Sequence, residues 1–557
     1  MRQIEICFAF LLLIFGCPQL FAQTSVPAGY VSGRWDFAGS PYQVQGNIEL
    51  HPDSSLLIDA GVEVLFMQSY RFRVYGSLQA LGNADSLVIF DTGNTFYRWI
   101  GVEFRDTTGM APDSSILQYC HFSSSTQDFG GALGVMGYDS LRLDHCVFEY
   151  NEGFKGGAVY IEYADPLLQN LTIRNNNSID GGGVFLVGAS PAILNCVISD
   201  NDSEWIAGGL FAKEYSSPLI ENCLIENNTS VGSAGGLYFH DYCEPVIRNC
   251  TISNNYCQST QVGSGGGMKI NFYCYVKLEN CVIQDNLSNS RGGGMTITSD
   301  VDMVNCLVSG NQALMSGGGI NVDLSISYYR PTVNITNSTI IDNSCQVGAG
   351  INSERSDLTL INSIVYDNNS SPENYIDIDK TALFIEYSNI QDSTEIIVND
   401  SCSLQFGAGV IDEDPEFFSS SDFRLSELSP CINAGTPDTT SLGIPPTDLD
   451  GFDRVYDGRI DMGCYENQYY VGEKEIVQKE AEILLYPNPA ITFFWVKSSL
   501  SIQSIAVTNT QGVLVYKRDC QSNDGIQISV EDWPAGVYQL DCRLAGGGKQ
   551  FVRLLVL

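Results

Sequence analysis

Asn195-Cys196-Val197-Ile198, followed by Asn201 and then Gly208-Gly209-Leu210, is one statement of a phrase that the chain repeats. It returns as Asn222-Cys223-Leu224-Ile225 with Gly235-Gly236-Leu237, and as Asn249-Cys250-Thr251-Ile252 with Gly265-Gly266-Gly267-Met268. Asn280-Cys281 with Gly292-Gly293-Gly294-Met295 and Asn305-Cys306 with Gly317-Gly318-Gly319-Ile320 continue it. Weaker copies flank these at Cys120, Cys146, Asn170-Leu171, Asn337-Ser338 and Asn362-Ser363. Most intervals are about 25–27 residues, a period short and regular enough to identify a solenoid. Runs such as Ala158-Val159-Tyr160-Ile161-Glu162 alternate with the period of a strand, and no helical period is present. Short strands cut by Gly and Asn, one coil per repeat, describe a parallel β-helix. Gly corners the chain without a Cβ clash, while Asn tolerates the left-handed region and can stack its amide on the next coil. The longer intervals from Cys250 to Cys281 and from Cys306 to Ser338 read as loops pushed out at one corner.

The chain has 557 residues, enough for several domains. With 28 Lys plus Arg against 65 Asp plus Glu, its formal charge is −37. That excludes nucleic acid and anionic membrane surfaces as partners, since phosphates would be repelled. It fits a well-solvated exported surface, with a sink for Ca2+ as the sharper alternative. Residues 1–22 have the pattern of a secretory signal peptide: Arg2, an apolar run from Cys7 to Gly16, and a cut before Gln23. The apolar run is too short to span a bilayer, and no other stretch is long enough for a transmembrane helix. Ile14-Phe15-Gly16-Cys17 resembles a lipobox, with an unusual Phe at its second position.

Seven of the 18 cysteines hold one repeat position: Cys120, Cys146, Cys196, Cys223, Cys250, Cys281 and Cys306. Leu171, Ser338 and Ser363 fill the same slot, so the position reads as a small buried residue and the thiols as mostly reduced. Paired Cys-x-x-Cys motifs for a metal are absent.

Residues 24–110 carry Leu56–Phe66, Phe72–Gly82, Val88–Phe90 and Trp99–Val102, short strands cut by Gly. They resemble the opening coils of exported right-handed parallel β-helix proteins, the pectin-lyase-like superfamily. Phe148-x-x-Asn151 with Gly156-Gly157-Ala158-Val159 resembles the short motifs of chlamydial polymorphic membrane proteins, which are adhesins. The helix is expected over 24–395. Asp414-Pro415-Glu416-Phe417, Ser429-Pro430-Cys431-Ile432-Asn433-Ala434-Gly435 and Asp461-Met462-Gly463-Cys464-Tyr465-Glu466 resemble the closing segment of many such helices. This implies a cap over 396–466 that hides open strand edges. Cys464 stands where that family usually has Ala, and Cys431 with Cys464 is a candidate disulfide in an exported chain. Alternate carboxylates at Asp448, Asp450 and Asp453 are candidate Ca2+ ligands or an acidic turn.

Residues 467–482 are polar and read as a linker. From 483 to 557 short alternating strands predict a small Ig-like β-sandwich, with Cys520 and Cys542 a second candidate disulfide. Leu485-Tyr486-Pro487-Asn488-Pro489-Ala490, Gln511-Gly512 and Gly536-Val537-Tyr538 resemble, in order and spacing, the C-terminal sorting domain of the Bacteroidetes type IX secretion system. The resemblance implies type IX machinery as a partner, export across the outer membrane, removal of this domain, and a surface-bound or released product.

In the strand after each Gly-Gly, Val159 and Ile161 should face in and Tyr160 and Glu162 out. Coil by coil this gives an outward column Tyr160, Phe185, Phe211, Tyr238, Lys269. Beside it runs Glu162, Val187, Lys213, His240, Asn271. Stacked aromatics beside a polar file suit a sugar chain, so Tyr160, Phe185, Phe211 and Tyr238 are the candidate ligand-binding residues. Stacking for sheet stability is the competing reading. Were the protein an enzyme, related lyases imply a basic residue as base or charge neutraliser, so Lys213, His240 and Lys269 are candidates. Glu162, Glu214 and Asp241 could serve a hydrolase. The expected protein is a monomeric surface adhesin binding an extracellular polysaccharide or surface glycan. The alternatives are a polysaccharide lyase or glycosidase, and a structural stalk.

Overall fold

The structure is a computed structural model that describes residues 23–468 and 483–556. Excepted are 107–113, 261–263, 324–328, 371–374, 400, 441, 487, 489, 491, 499–500, 510–512, 523–524, 531 and 545–548. The signal-like stretch 1–22 and most of the expected linker therefore lie outside the described residues.

The first compact unit ends at Tyr470 and is a right-handed parallel β-helix. Three parallel sheets of 15 strands run its length, and a fourth of 10 strands is added from Thr126–Phe129 onward. The coil containing Cys196 shows the order. Val197–Ser199 lies in the first sheet, Asp202–Ile206 in the fourth, Leu210–Lys213 in the second and Leu219–Glu221 in the third. The Gly-Gly phrase is the corner from fourth to second sheet. A Cβ on Gly182 would lie 2.2 Å from the Gly208 carbonyl oxygen of the next coil, so only glycine fits that approach.

Strand alternation turns Ile198, Ile225, Ile252, Ile283, Val308 and Ile340 inward, in register, as one fully buried file. Each such side chain contributes about 1.5–3 kcal/mol of burial.

Two polar files stitch the coils. Asn195, Asn222, Asn249 and Asn280 hold left-handed corners with φ of 53–54°. A separate column, Asn151, Asn176, Asn201, Asn228, Asn255, Asn286, Asn311, Asn343 and Asn368, is buried. In it each Nδ2 donates to the next Oδ1 at 2.9–3.0 Å.

The cysteine file has a reason beyond size. The backbone N–H groups of Cys196, Cys223 and Cys281 donate to the sulfur of the next coil at 3.4 Å. The file then passes to hydroxyls: Cys306 N–H donates to Ser338 Oγ at 3.1 Å and Ser338 N–H to Ser363 Oγ at 3.3 Å. Cys and Ser interchange because both accept this bond, a reason that adds to the small buried size expected from the sequence. The seven ladder cysteines are buried and unbridged. Burial pushes the Cys120 and Cys281 thiols well above the usual range, into the inert protonated form. Thiol titration of the denatured, unreduced protein is expected to find these seven groups reactive. Near-zero reactivity would show that neighbouring coils are cross-linked.

The third sheet runs on to Ser403–Phe406, beyond the expected end at 395. Ile396, Cys402, Leu404 and Val410 pack against the core there. The rest of the expected cap does something different. After the hairpin of Phe417–Ser419 and Asp422–Leu425, the chain turns back along the solenoid and covers the outer face of the first sheet. Leu307, Ile341 and Ile364 are buried beneath it. Thr436 N–H donates to Asn362 Oδ1 at 2.6 Å and Cys464 N–H to Thr339 Oγ1 at 3.2 Å. The expected Cys431–Cys464 disulfide is not formed: Cys431 packs with Ile364 and Met462, whereas Cys464 packs with Leu307 and Ile341.

The second unit, Val471–Leu557, has two antiparallel sheets. One is formed by Ile483–Tyr486, Phe493–Ser498 and Ile526–Ser529. The other orders Leu514–Ser522, Ile502–Asn509, Gly536–Leu544 and Lys549–Val556. Phe494, Val496, Ile505, Val507, Leu540 and Leu554 form their shared core. The expected Cys520–Cys542 bridge conflicts with this order. Their strands flank Ile502–Asn509 on opposite sides, about 10 Å apart, beyond disulfide reach. The Cys520 side chain itself lies outside the described residues.

Candidate functional site

The second sheet carries both expected columns in the expected register. Tyr160, Phe185, Phe211, Tyr238 and Lys269 are successive partners, as are Glu162, Val187, Lys213, His240 and Asn271. Val159 and Ile161 point into the core. Neighbouring aromatic rings meet at 5.7, 4.9 and 5.1 Å.

The rings are nevertheless not available to a ligand. Tyr160, Phe185, Phe211 and Tyr238 are at most 5% exposed. They form a satellite core with Ala207 and Ala234, which sit on the corner from the fourth sheet. That corner folds over the outer face of the second sheet and fills the seam. Lys155 Nζ lies 5.5 Å from the Phe185 ring, and Lys269 Nζ lies 5.5 Å from that of Tyr238. Burial pushes the Tyr238 hydroxyl up to about 12, although it accepts from Asn271 Nδ2 at 3.1 Å. These four residues are therefore corrected from ligand-binding to structural.

Lys269 is corrected likewise. It is 9% exposed, burial lowers its pKa, and its Nζ donates to Ser233 Oγ at 3.2 Å. The neighbouring polar file does reach the surface. Glu162, Lys213 and His240 are half-buried. Lys213 pairs with Glu214, and His240 Nδ1 lies 2.9 Å from Asp241 Oδ2. Burial lowers the His240 pKa, against the pull of Asp241. Glu214 thus faces Lys213 and Asp241 faces the His240 ring, each within its own coil.

Immediately beyond this file the chain makes a tight corner of two left-handed residues. The pairs are Glu214-Tyr215, Asp241-Tyr242 and Phe272-Tyr273, with φ between 52° and 65°. Bulky side chains avoid this region, and holding one there costs about 1–2 kcal/mol. Three successive coils nevertheless place tyrosine there. Tyr215 and Tyr242 stack at 5.1 Å and 10°, and Tyr242 and Tyr273 at 5.1 Å and 13°. Tyr329 meets Tyr273 edge-on at 5.1 Å. Two coils before Tyr215, the Tyr163 ring leans over Gly188, where a Cβ would lie 2.5 Å from it. These rings are open: Tyr163 is 64% exposed, Tyr215 69%, Tyr242 46% and Tyr273 41%. The sequence reading missed this ladder. Its signal was the interval from Tyr215 to Tyr242 to Tyr273, which matches that from Phe211 to Tyr238 to Lys269.

The acidic turn at 448–453 does not assemble a cation site. Asp448 is buried, with Oδ1 accepting from the N–H groups of Asp450 and Phe452 and Oδ2 from that of Glu466. Asp450 pairs with Arg424, and Asp453 is exposed. Among the described residues no group of three acidic, His or Cys side chains is placed to hold a metal.

Comparison with known proteins gives two family matches. The model described as right-handed beta helix region matches 155–277 and 183–365, and the secretion system C-terminal sorting domain matches 484–556. No curated protein matches the chain. Among solved structures, the crystal structure of pectate lyase Pel9A is similar at 13% identity and a TM-score of 0.32, over 78% of this chain and 97% of that one.

Proposed function

We propose that this chain, a right-handed parallel β-helix protein sent by a type IX C-terminal sorting domain to the cell surface or extracellular space, is a non-catalytic glycan-binding adhesin. The observation that carries this reading is the exposed tyrosine ladder of Tyr215, Tyr242 and Tyr273. Repeated left-handed tyrosines cost conformational energy and still leave 41–69% of each residue exposed, which supports a role for the rings beyond core packing. Exposed rings beside Lys213, His240 and their carboxylates offer apolar contact and hydrogen bonding together, as a sugar requires.

The test is the double replacement Tyr215→Ala with Tyr242→Ala, followed by affinity electrophoresis in polysaccharide gels. Binding is expected to weaken by about 1–3 kcal/mol if stacking contributes as it does to other flat ligands. The thermal melt should stay within about 0.5 kcal/mol of the parent, because exposed positions contribute little to the core. Unchanged binding would assign the ladder to structure.

One observation favours a second reading. His240, its pKa lowered by burial, stands beside Lys213 on a half-buried file that reaches the surface, which suits proton abstraction from a uronic acid chain, as a polysaccharide lyase requires. Unsaturated product that disappears in His240→Ala, with binding kept, would replace the adhesin reading by this one.

A further inference from the structure

We infer that the outer face of the fourth sheet is a separate track for a single neutral polysaccharide chain lying along the solenoid axis. This rests on the glycan-binding reading for the class of ligand, and on its own residues for the place. The fourth sheet begins only at Thr126–Phe129, so the cross-section widens there. The step leaves a cleft lined by Ser69, Arg71 and Ile100 from the slimmer coils and by Glu152 and Phe154 from the new sheet. From the cleft, Phe154 and Ile179 stand opposite one another, and Trp205 and Val231 follow on the next two coils, with Val231 one register position from Trp205. Phe154 is 50% exposed, Trp205 66% and Val231 52%. A register shift opposite Ser178 and Asp180 adds one residue to the Asp202–Ile206 strand next to Trp205. Beside this ribbon Glu152, Asn177, Asp202 and Thr229 stand in register.

The occupant follows from what the ribbon lacks. Its backbone is satisfied, with the N–H groups of Asn177, Asp202 and Thr229 donating to the preceding coil at 2.9–3.0 Å. An extended peptide therefore finds no free strand edge to pair with. The apolar file is one residue wide, too narrow for the roughly 800 Å² that a globular partner covers. A sugar chain needs neither. Its apolar faces rest on Phe154 and Trp205, and its hydroxyls donate to Glu152, Asn177 and Asp202. Coils rise about 4.8 Å each, close to one sugar unit. Arg98 neutralises Glu152 at 2.8 Å, while Asp202 and Glu204 repel an acidic chain and so select a neutral one.

The experiment uses the full chain in gels containing hydroxyethyl cellulose or galactomannan, with polygalacturonate as the acidic arm. Phe154→Ala with Trp205→Ala is expected to weaken retardation by the neutral polymers about tenfold or more. Tyr215→Ala with Tyr242→Ala is run in the same gels, so that loss at the tyrosine ladder is read separately from loss at this track. Trp205→Phe should keep retardation yet abolish the blue shift of tryptophan emission on adding polymer, which separates contact from misfolding. Retardation of the Phe154 and Trp205 double variant equal to the parent's would overturn the inference, as would retardation by polygalacturonate alone. So would absence of any retardation together with a dimer that Trp205→Ala dissociates, since a second copy would then cover the ribbon. If only the Phe154 and Trp205 variant loses binding, the tyrosine site falls and this track stands.

Discussion

A chain shortened to end at Asn467 will fold and will remain in the periplasm of a type IX host. Two observations support this. Among the described residues, the seven strands of the second unit find their strand partners within that unit, and the solenoid sheets find theirs within the first. The folded-back segment that covers the first sheet is complete at Asn467, whose Nδ2 donates to the Leu425 carbonyl at 2.9 Å. The solenoid therefore keeps its core and its lateral cover, while the match to the sorting domain at 484–556 is lost. Fractionation should find the shortened chain soluble, protease-resistant and entirely periplasmic, with the full chain at the surface or in the medium. Surface delivery of the shortened chain would mean that the export signal lies elsewhere.

Asn255→Ala will destabilise the solenoid by about 3–5 kcal/mol, because it leaves several buried polar groups unpaired at about 1–3 kcal/mol each. Asn255 Oδ1 accepts from the backbone N–H of Asn228 at 3.0 Å and from its Nδ2 at 3.0 Å. Asn255 Nδ2 donates to the Ile225 carbonyl at 2.9 Å and to Asn286 Oδ1 at 3.0 Å. These groups are buried, and the chain of amides polarises along the stack. Cys250→Ser, in the same coil, should cost far less, because the hydroxyl still accepts the Cys223 N–H that the sulfur now accepts at 3.4 Å. Denaturant unfolding of the two variants checks the contrast. Equal small losses would show that the asparagine file is filler.

The period of the Asn-Cys and Gly-Gly phrases was enough to place Tyr160 against Phe185 and Lys213 against His240, because register in a solenoid follows directly from residue spacing. Exposure was not legible in the same way. Whether an outward ring meets water depends on the next corner. Here Ala207 and Ala234 bring the fourth sheet over Phe211 and Tyr238. The fourth sheet itself was hidden in the sequence, since Asp202-Ser203-Glu204-Trp205-Ile206 has too few apolar residues to read as a strand. The tyrosine ladder escaped for the opposite reason. Left-handed backbone is ordinarily the province of Gly and Asn, so Tyr215 and Tyr242 gave no turn signal. The lateral course of the closing segment depends on long-range contacts such as Thr436 with Asn362, which no local pattern encodes.

The central expectation is that the exported solenoid holds a glycan without cleaving it. The most direct measurement is affinity electrophoresis of the purified chain across neutral and acidic polysaccharides, with each mixture assayed for unsaturated and reducing ends. The expected result is retardation by at least one polymer, weakened by Tyr215→Ala with Tyr242→Ala, and no new chain ends from any polymer. Retardation by none, or new ends whose formation is lost in His240→Ala, would contradict it.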